Sequence, residues 1–169
     1  MWRKKMSNCK KISLSQILLL VLDIILILGV ITTVIVYYNT FFKGSENLNG
    51  LNKFIMFALL TVGITCIFFI ILELRKIVLT LIKGNPFVWL NVKALKRISL
   101  ECFIIASCYI VNFIVNFGEN KYKFIYLDSK GIHTDTEPII FILAGVFIAI
   151  LANVFKTAIE YKEENDFTI

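Results

Sequence analysis

The chain has 169 residues, of which 58% are hydrophobic and only 18% charged, and its formal net charge is +6. With a mean hydropathy of +0.80 an ordinary soluble domain is excluded, and residues 1–169 read as one membrane-embedded unit. The basic excess does not point to direct nucleic-acid binding, because Lys and Arg cluster beside apolar runs and not along a soluble face.

Arg3, Lys4, Lys5, Lys10 and Lys11 precede an apolar stretch from Ile12 to about Tyr38. A signal peptide has an apolar region of about 7–15 residues followed by a small-residue cleavage site. This run is longer and ends in Val36-Tyr37-Tyr38, so it is expected to be retained. A hydrocarbon core of about 30 Å takes about 20 helical residues. Ser15–Val36 supplies them, with Tyr37 and Tyr38 in the outer interfacial belt. The segment from Asn39 to Lys53 is rich in Gly, Ser and Asn and reads as a short external loop.

The second span is predicted over Phe54–Leu72. Its helical pattern continues through Glu73–Ile82, with Leu74, Ile77, Val78 and Leu81 on one face. Lys83-Gly84-Asn85-Pro86-Phe87 then reads as a cytoplasmic turn between two helices. Gly84 can take the left-handed conformation that closes a helix, Asn85 can accept from the first free amides of the next, and Pro86 fits its first turn. Val88, Val92, Leu95 and Ile98 repeat at helical spacing beyond it, so the two segments are expected to pack as a basic amphipathic hairpin. A third span follows over Leu100–Phe117. Its apolar length is a little short, a deficit that bilayer thinning, snorkelling or the amphipathic turn can meet.

Gly118–Glu137 is a polar external loop in which Tyr122, Phe124 and Tyr126 alternate as a small strand would. Pro138 suits the first turn of a fourth helix, and Ile139–Phe155 makes the fourth span before the charged tail Lys156–Ile169. Thirteen Lys and Arg residues fall in the N-terminus, the central hairpin and the tail, against five in the other two loops. The positive-inside rule therefore predicts a cell-membrane protein with both termini cytoplasmic. The expected fold class is all-α: an integral membrane four-helix bundle with a cytoplasmic helical hairpin between its second and third helices.

Lys83-Gly84-Asn85-Pro86-Phe87, Asn91-Val92-Lys93 and Leu95-Lys96-Arg97-Ile98 form one distinctive stretch. Glu160 with Lys162-Glu163-Glu164-Asn165-Asp166-Phe167-Thr168-Ile169 forms another. Together they resemble the YoaS-like family of small bacterial four-helix membrane proteins, a domain of unknown function. The likeness in topology covers nearly the whole chain, whereas the specific words are these two stretches. Members of this type are often encoded beside a small helix-turn-helix regulator, so the resemblance implies a regulatory partnership. It brings no catalytic residues.

Among residues that can carry chemistry, Asp23 stands out. It lies eight residues past Ser15, about 12 Å along the first span and near the bilayer midplane. A carboxylate there costs about 2.5–3.5 kcal/mol on insertion scales. It is a functional-site candidate for proton or ion coupling, set against a protonated group hydrogen-bonded to Thr61, Thr65, Ser107 or Asn153. Glu73 and Glu101 flank the basic hairpin, where pairing with Arg75, Lys76, Lys96 or Arg97 would fix helix register. His133, the sole histidine, stands near Asp128 and Asp135 without the spacing of a metal site. Cys66, Cys102 and Cys108 read as packing residues. Cys9 is a weak candidate for S-acylation, and no cofactor-binding motif is visible.

The features that bear most on function are the hairpin and the tail. Arg75, Lys76, Lys83, Lys93, Lys96 and Arg97, with Asn85, Pro86 and Phe87, form a surface for anionic lipid headgroups, worth about 1 kcal/mol per cation, or for a cytoplasmic partner. Glu163, Glu164 and Asp166, with Glu160, make an acidic segment with an apolar tip, complementary to the basic surface of a DNA-binding regulator. The preferred reading is a non-enzymatic membrane regulator or sensor; the alternative is a small transporter or accessory subunit using Asp23. An enzyme is disfavoured because no nucleophile with a base and no paired-acid motif is present. The spans are also compatible with a homo-oligomer.

Overall fold

Both prolines of the chain, Pro86 and Pro138, fall outside helix interiors, so nothing interrupts the apolar runs. Four long helices result: α1 (Leu14–Tyr38), α2 (Gly50–Ile82), α3 (Trp89–Val115) and α4 (Glu137–Asp166). This computed structural model describes residues 14–39, 50–115, 125–128, 131–134 and 136–166, excluding the side chains of 50–53 and of both strands. All four helices are long and apolar enough to cross a bilayer. The chain is a multi-pass membrane protein. Strands β1 (Ile125–Asp128) and β2 (Gly131–Thr134) pair antiparallel between α3 and α4, with Ile125 opposite Thr134 and Asp128 opposite Gly131. Tyr126 falls in the strand predicted from alternation, while Tyr122 and Phe124 lie outside the described residues.

The helical continuation predicted beyond the second span is observed, since α2 runs unbroken to Ile82. At about 1.5 Å per residue its 33 residues run about 50 Å, well beyond a hydrocarbon core of about 30 Å. The tail differs from expectation. Lys156–Asp166 continues α4 as helix, for which its Lys, Glu and Ala residues have good propensity and no breaker intervenes. The Lys156–Glu160 pair, at 3.5 Å, adds an i,i+4 contact on this extension. Phe167, Thr168 and Ile169 lie outside the described residues, as do the basic residues before Leu14.

The helices are arranged in series. α1 packs on α2, α2 on α3 and α3 on α4, and among the described residues no other pair of helices approaches closely. The bundle is therefore open, and α3 has a neighbour on either side. Val92, Ala94, Leu95, Ile98, Cys102, Ile105 and Ala106 of α3 are all buried. In lipid, apolar burial does not itself drive helices together; close van der Waals packing and interhelical hydrogen bonds do. The α3–α4 seam follows this rule. Ala106 and Ala152 are buried, Ser99 Oγ donates to the Gly145 carbonyl at 2.8 Å, and the Phe103 ring covers Gly145. α1 contributes one buried residue, Leu22, which joins Ile71 and Val78 of α2.

Candidate functional site

The turn between α2 and α3 is built by backbone chemistry. Gly84 has φ +73°, the left-handed conformation expected of it, and two hydrogen bonds close the helix end. Gly84 N–H donates to the Leu81 carbonyl at 3.0 Å and Asn85 N–H to the Thr80 carbonyl at 3.2 Å, the Schellman pairing of a helix C-terminus. The other half of the expected turn is different. α3 starts at Trp89, so Asn85 and Pro86 belong to the connection and not to its first turn. Asn91 holds the connection instead. Fully buried, it donates from Nδ2 to Thr80 Oγ1 at 2.6 Å and to the Pro86 carbonyl at 2.7 Å. Sequence reading did not single out Asn91 for a role. The available signal was a polar residue on the apolar stripe formed by Val88, Val92 and Leu95.

About two to three helical turns along α2 and α3 from this connection, the sequence-predicted charges converge. Arg75 Nε donates to Asp23 Oδ1 at 2.7 Å, joining α2 to α1. Asp23 thus has a cationic partner and none of the hydroxyl or amide partners first considered. Thr61 takes the Tyr37 hydroxyl, while Thr65 and Ser107 bond within their own helices. Arg75 lies just past the end of the second apolar run, whereas α1 is apolar on both sides of Asp23. The ion pair therefore offsets the cost of a carboxylate inside an apolar helix.

Glu73 organises the second half of the cluster. Its side chain is 9% exposed, and Oε1 accepts from Lys76 Nζ at 2.7 Å and from Arg97 Nη1 at 3.0 Å, the latter joining α2 to α3. Two charge-assisted bonds on one oxygen compensate a buried carboxylate that would otherwise be strongly unfavourable. Glu101, one turn beyond Arg97 on α3, has its Oε2 shut off from solvent without a hydrogen-bond partner. Phe69, Leu72, Glu73, Arg75, Lys76, Arg97 and Glu101 line a cavity of about 430 Å³. A second cavity, about 360 Å³, is lined largely by apolar side chains from all four helices, including Val36, Leu59, Ile105 and Phe141. The first brings acidic and basic side chains together.

At the turn end, α4 is fastened to the hairpin. Phe87 packs on Phe155 with ring centroids 5.6 Å apart, Trp89 Nε1 donates to Glu163 Oε1 at 2.9 Å, and Ile159 is buried at 3% exposure. Lys83, Asn85, Lys93 and Lys96 are exposed on the hairpin, as are Glu164 and Asp166 on α4. The basic and acidic segments read separately from the sequence are thus adjacent. Cys66 and Cys102 are buried and Cys108 is partly so, as packing residues would be.

The family model described as "Protein of unknown function (DUF2975)" matches residues 24–169. No curated protein and no solved structure matches the chain.

Proposed function

The chain belongs to the DUF2975 family of unknown function, and on that premise we propose that it is a non-enzymatic membrane regulator or sensor that docks a cytoplasmic partner on its hairpin end. The observation that carries this reading is the fastening of the α4 extension to the hairpin through Trp89–Glu163, Phe87–Phe155 and buried Ile159. Three elements, the end of α2, the start of α3 and the end of α4, then present one rigid surface. Lys83, Lys93 and Lys96 of the hairpin and Glu164 and Asp166 of α4 are all exposed at this end. Such a surface loses little conformational entropy on binding, unlike a free acidic peptide. The excess of Lys and Arg in the hairpin and termini supports a cytoplasmic side for this surface.

The partner class is a small helix-turn-helix DNA-binding protein. Its basic face suits the acidic end of α4, and holding that face at the membrane would keep it from DNA. Deleting Lys162–Ile169 is expected to abolish partner binding and to change transcription from the regulator's target promoter. Unchanged binding and unchanged reporter output would refute the proposal. The transporter alternative rests on Asp23, for which the Arg75 ion pair gives a sufficient structural account.

A further inference from the structure

The charged cavity between α2 and α3 has an unsatisfied acceptor on one side and spare donors on the other. On the α3 side, Glu101 lines the cavity; its Oε2 has no hydrogen-bond partner and is shut off from solvent, so a turn of the carboxyl group toward the cavity is what would let a donor relieve it. On the α2 side and at the mouth, Lys76 and Arg97 each spend one hydrogen bond on Glu73 Oε1. Lysine carries three donors and arginine five, and both side chains are substantially exposed, at 47% and 64%. The cavity therefore offers an acceptor for an amine and donors for an acid.

The charges of the cluster balance: Asp23, Glu73 and Glu101 against Arg75, Lys76 and Arg97. A simple anion would engage the two cations and leave Glu101 unmet. A simple cation would do the reverse. A zwitterion satisfies both without adding net charge to a low-dielectric site. The apolar part of the wall is Phe69 and Leu72, 52% and 41% exposed on helix α2, where hydrocarbon chains can lie. About 430 Å³ is within the range of sites that hold small polar groups.

We propose that this cavity binds the phosphoethanolamine headgroup of an aminophospholipid, with its phosphate on Lys76 and Arg97, its ammonium on Glu101, and its chains along Phe69 and Leu72. This site goes beyond partner docking and stands whether or not a partner binds. The ammonium N–H is the discriminating atom. A choline headgroup carries the same charges but has no N–H to donate, and a glycerol headgroup has no cation.

The test uses the full chain in nanodiscs containing equal amounts of ethanolamine, choline and glycerol phospholipids with identical chains, followed by detergent extraction and mass spectrometry of the retained lipid. The ethanolamine lipid should be retained about tenfold over the choline lipid, the worth of one hydrogen bond to a charged group. Glu101→Gln should bring the two close to parity while still eluting as a single folded species. Equal retention of all three headgroups by the unmodified chain, which needs no variant, would overturn the proposal. So would a folded Glu101→Gln that keeps the full preference. Soluble phosphoethanolamine binding as tightly as the lipid would also overturn it, by assigning the site to a free metabolite.

Discussion

The two outer helices of the open bundle are held in different ways. α4 lies along α3 through small residues: Ser99 reaches the Gly145 carbonyl, Ala106 and Ala152 are buried, and Phe103 sits so close to Gly145 that an added Cβ would stand 3.2 Å from its ring. α1 lies along α2 with large side chains, and Leu22 is its one buried residue. Its attachment relies on discrete polar contacts, Asp23 with Arg75 and the Tyr37 hydroxyl with Thr61 Oγ1 at 2.8 Å. Where backbones approach closely, packing supplies the adhesion; where bulky side chains keep them apart, individual hydrogen bonds set the register. The first kind of seam is rigid and intolerant of volume. The second is loose and tolerant, but sensitive to single polar atoms.

Gly145→Leu should break this comparison most severely. A Cβ at Gly145 would stand 3.2 Å from the Phe103 ring, tighter than ordinary contact, and a leucine adds three more carbons beyond it. A loss of about 3 kcal/mol is expected, the upper range for overpacking, and better helix propensity offsets only about 1 kcal/mol of it. Reversible unfolding in detergent micelles would measure the loss. Asn91→Ala should cost about 2 kcal/mol in the same assay, because it removes the bonds to Thr80 and Pro86 that hold the connection on the α2–α3 seam.

On the α1 side the effects should be smaller. A double-mutant cycle of Asp23→Asn and Arg75→Gln should give a coupling of about 0.5–1 kcal/mol, since both side chains are about two-fifths exposed. Amide exchange should accelerate in α1 and not in α4. Tyr37→Phe should cost about 0.6 kcal/mol, a typical interhelical hydrogen bond in a membrane. Gly29→Ala should be neutral or slightly stabilising, because the added methyl would meet only the Phe68 ring at 3.4 Å, ordinary contact. A Gly29→Ala as damaging as Gly145→Leu would erase the distinction between the seams.

Much of the architecture was legible because it rests on local signals. Length of apolar run located the spans, and Gly84 marked the end of α2 through a conformation that other residues resist. Glu73 was readable as a partner of Lys76 and Arg97, since the first lies three residues away and the second across a predicted hairpin. The Asp23–Arg75 pair was not readable. It depends on the lateral register of two helices whose charged residues lie 52 positions apart, and no local pattern encodes that. Asn85 and Pro86 have the residue types of a helix start, but Asn91 Nδ2 takes the Pro86 carbonyl, Val88 N–H turns back on the same carbonyl, and the helix begins at Trp89. The helical tail was legible in principle, because Lys156–Asp166 contains neither glycine nor proline. Its charge drew attention away from its propensity. Ser99 and Gly145 became meaningful only once α3 and α4 were paired.

The account's central claim is that the end of α4 and the hairpin form one docking surface. It is tested most directly by crosslinking in native membranes, comparing the intact chain with one cut before Lys162 and with Trp89→Phe, which removes the indole donor to Glu163. The account predicts that a small DNA-binding protein is captured by the intact chain, weakly by Trp89→Phe and not by the truncated chain. Capture of the same proteins by all three, or of none by the intact chain, would contradict it.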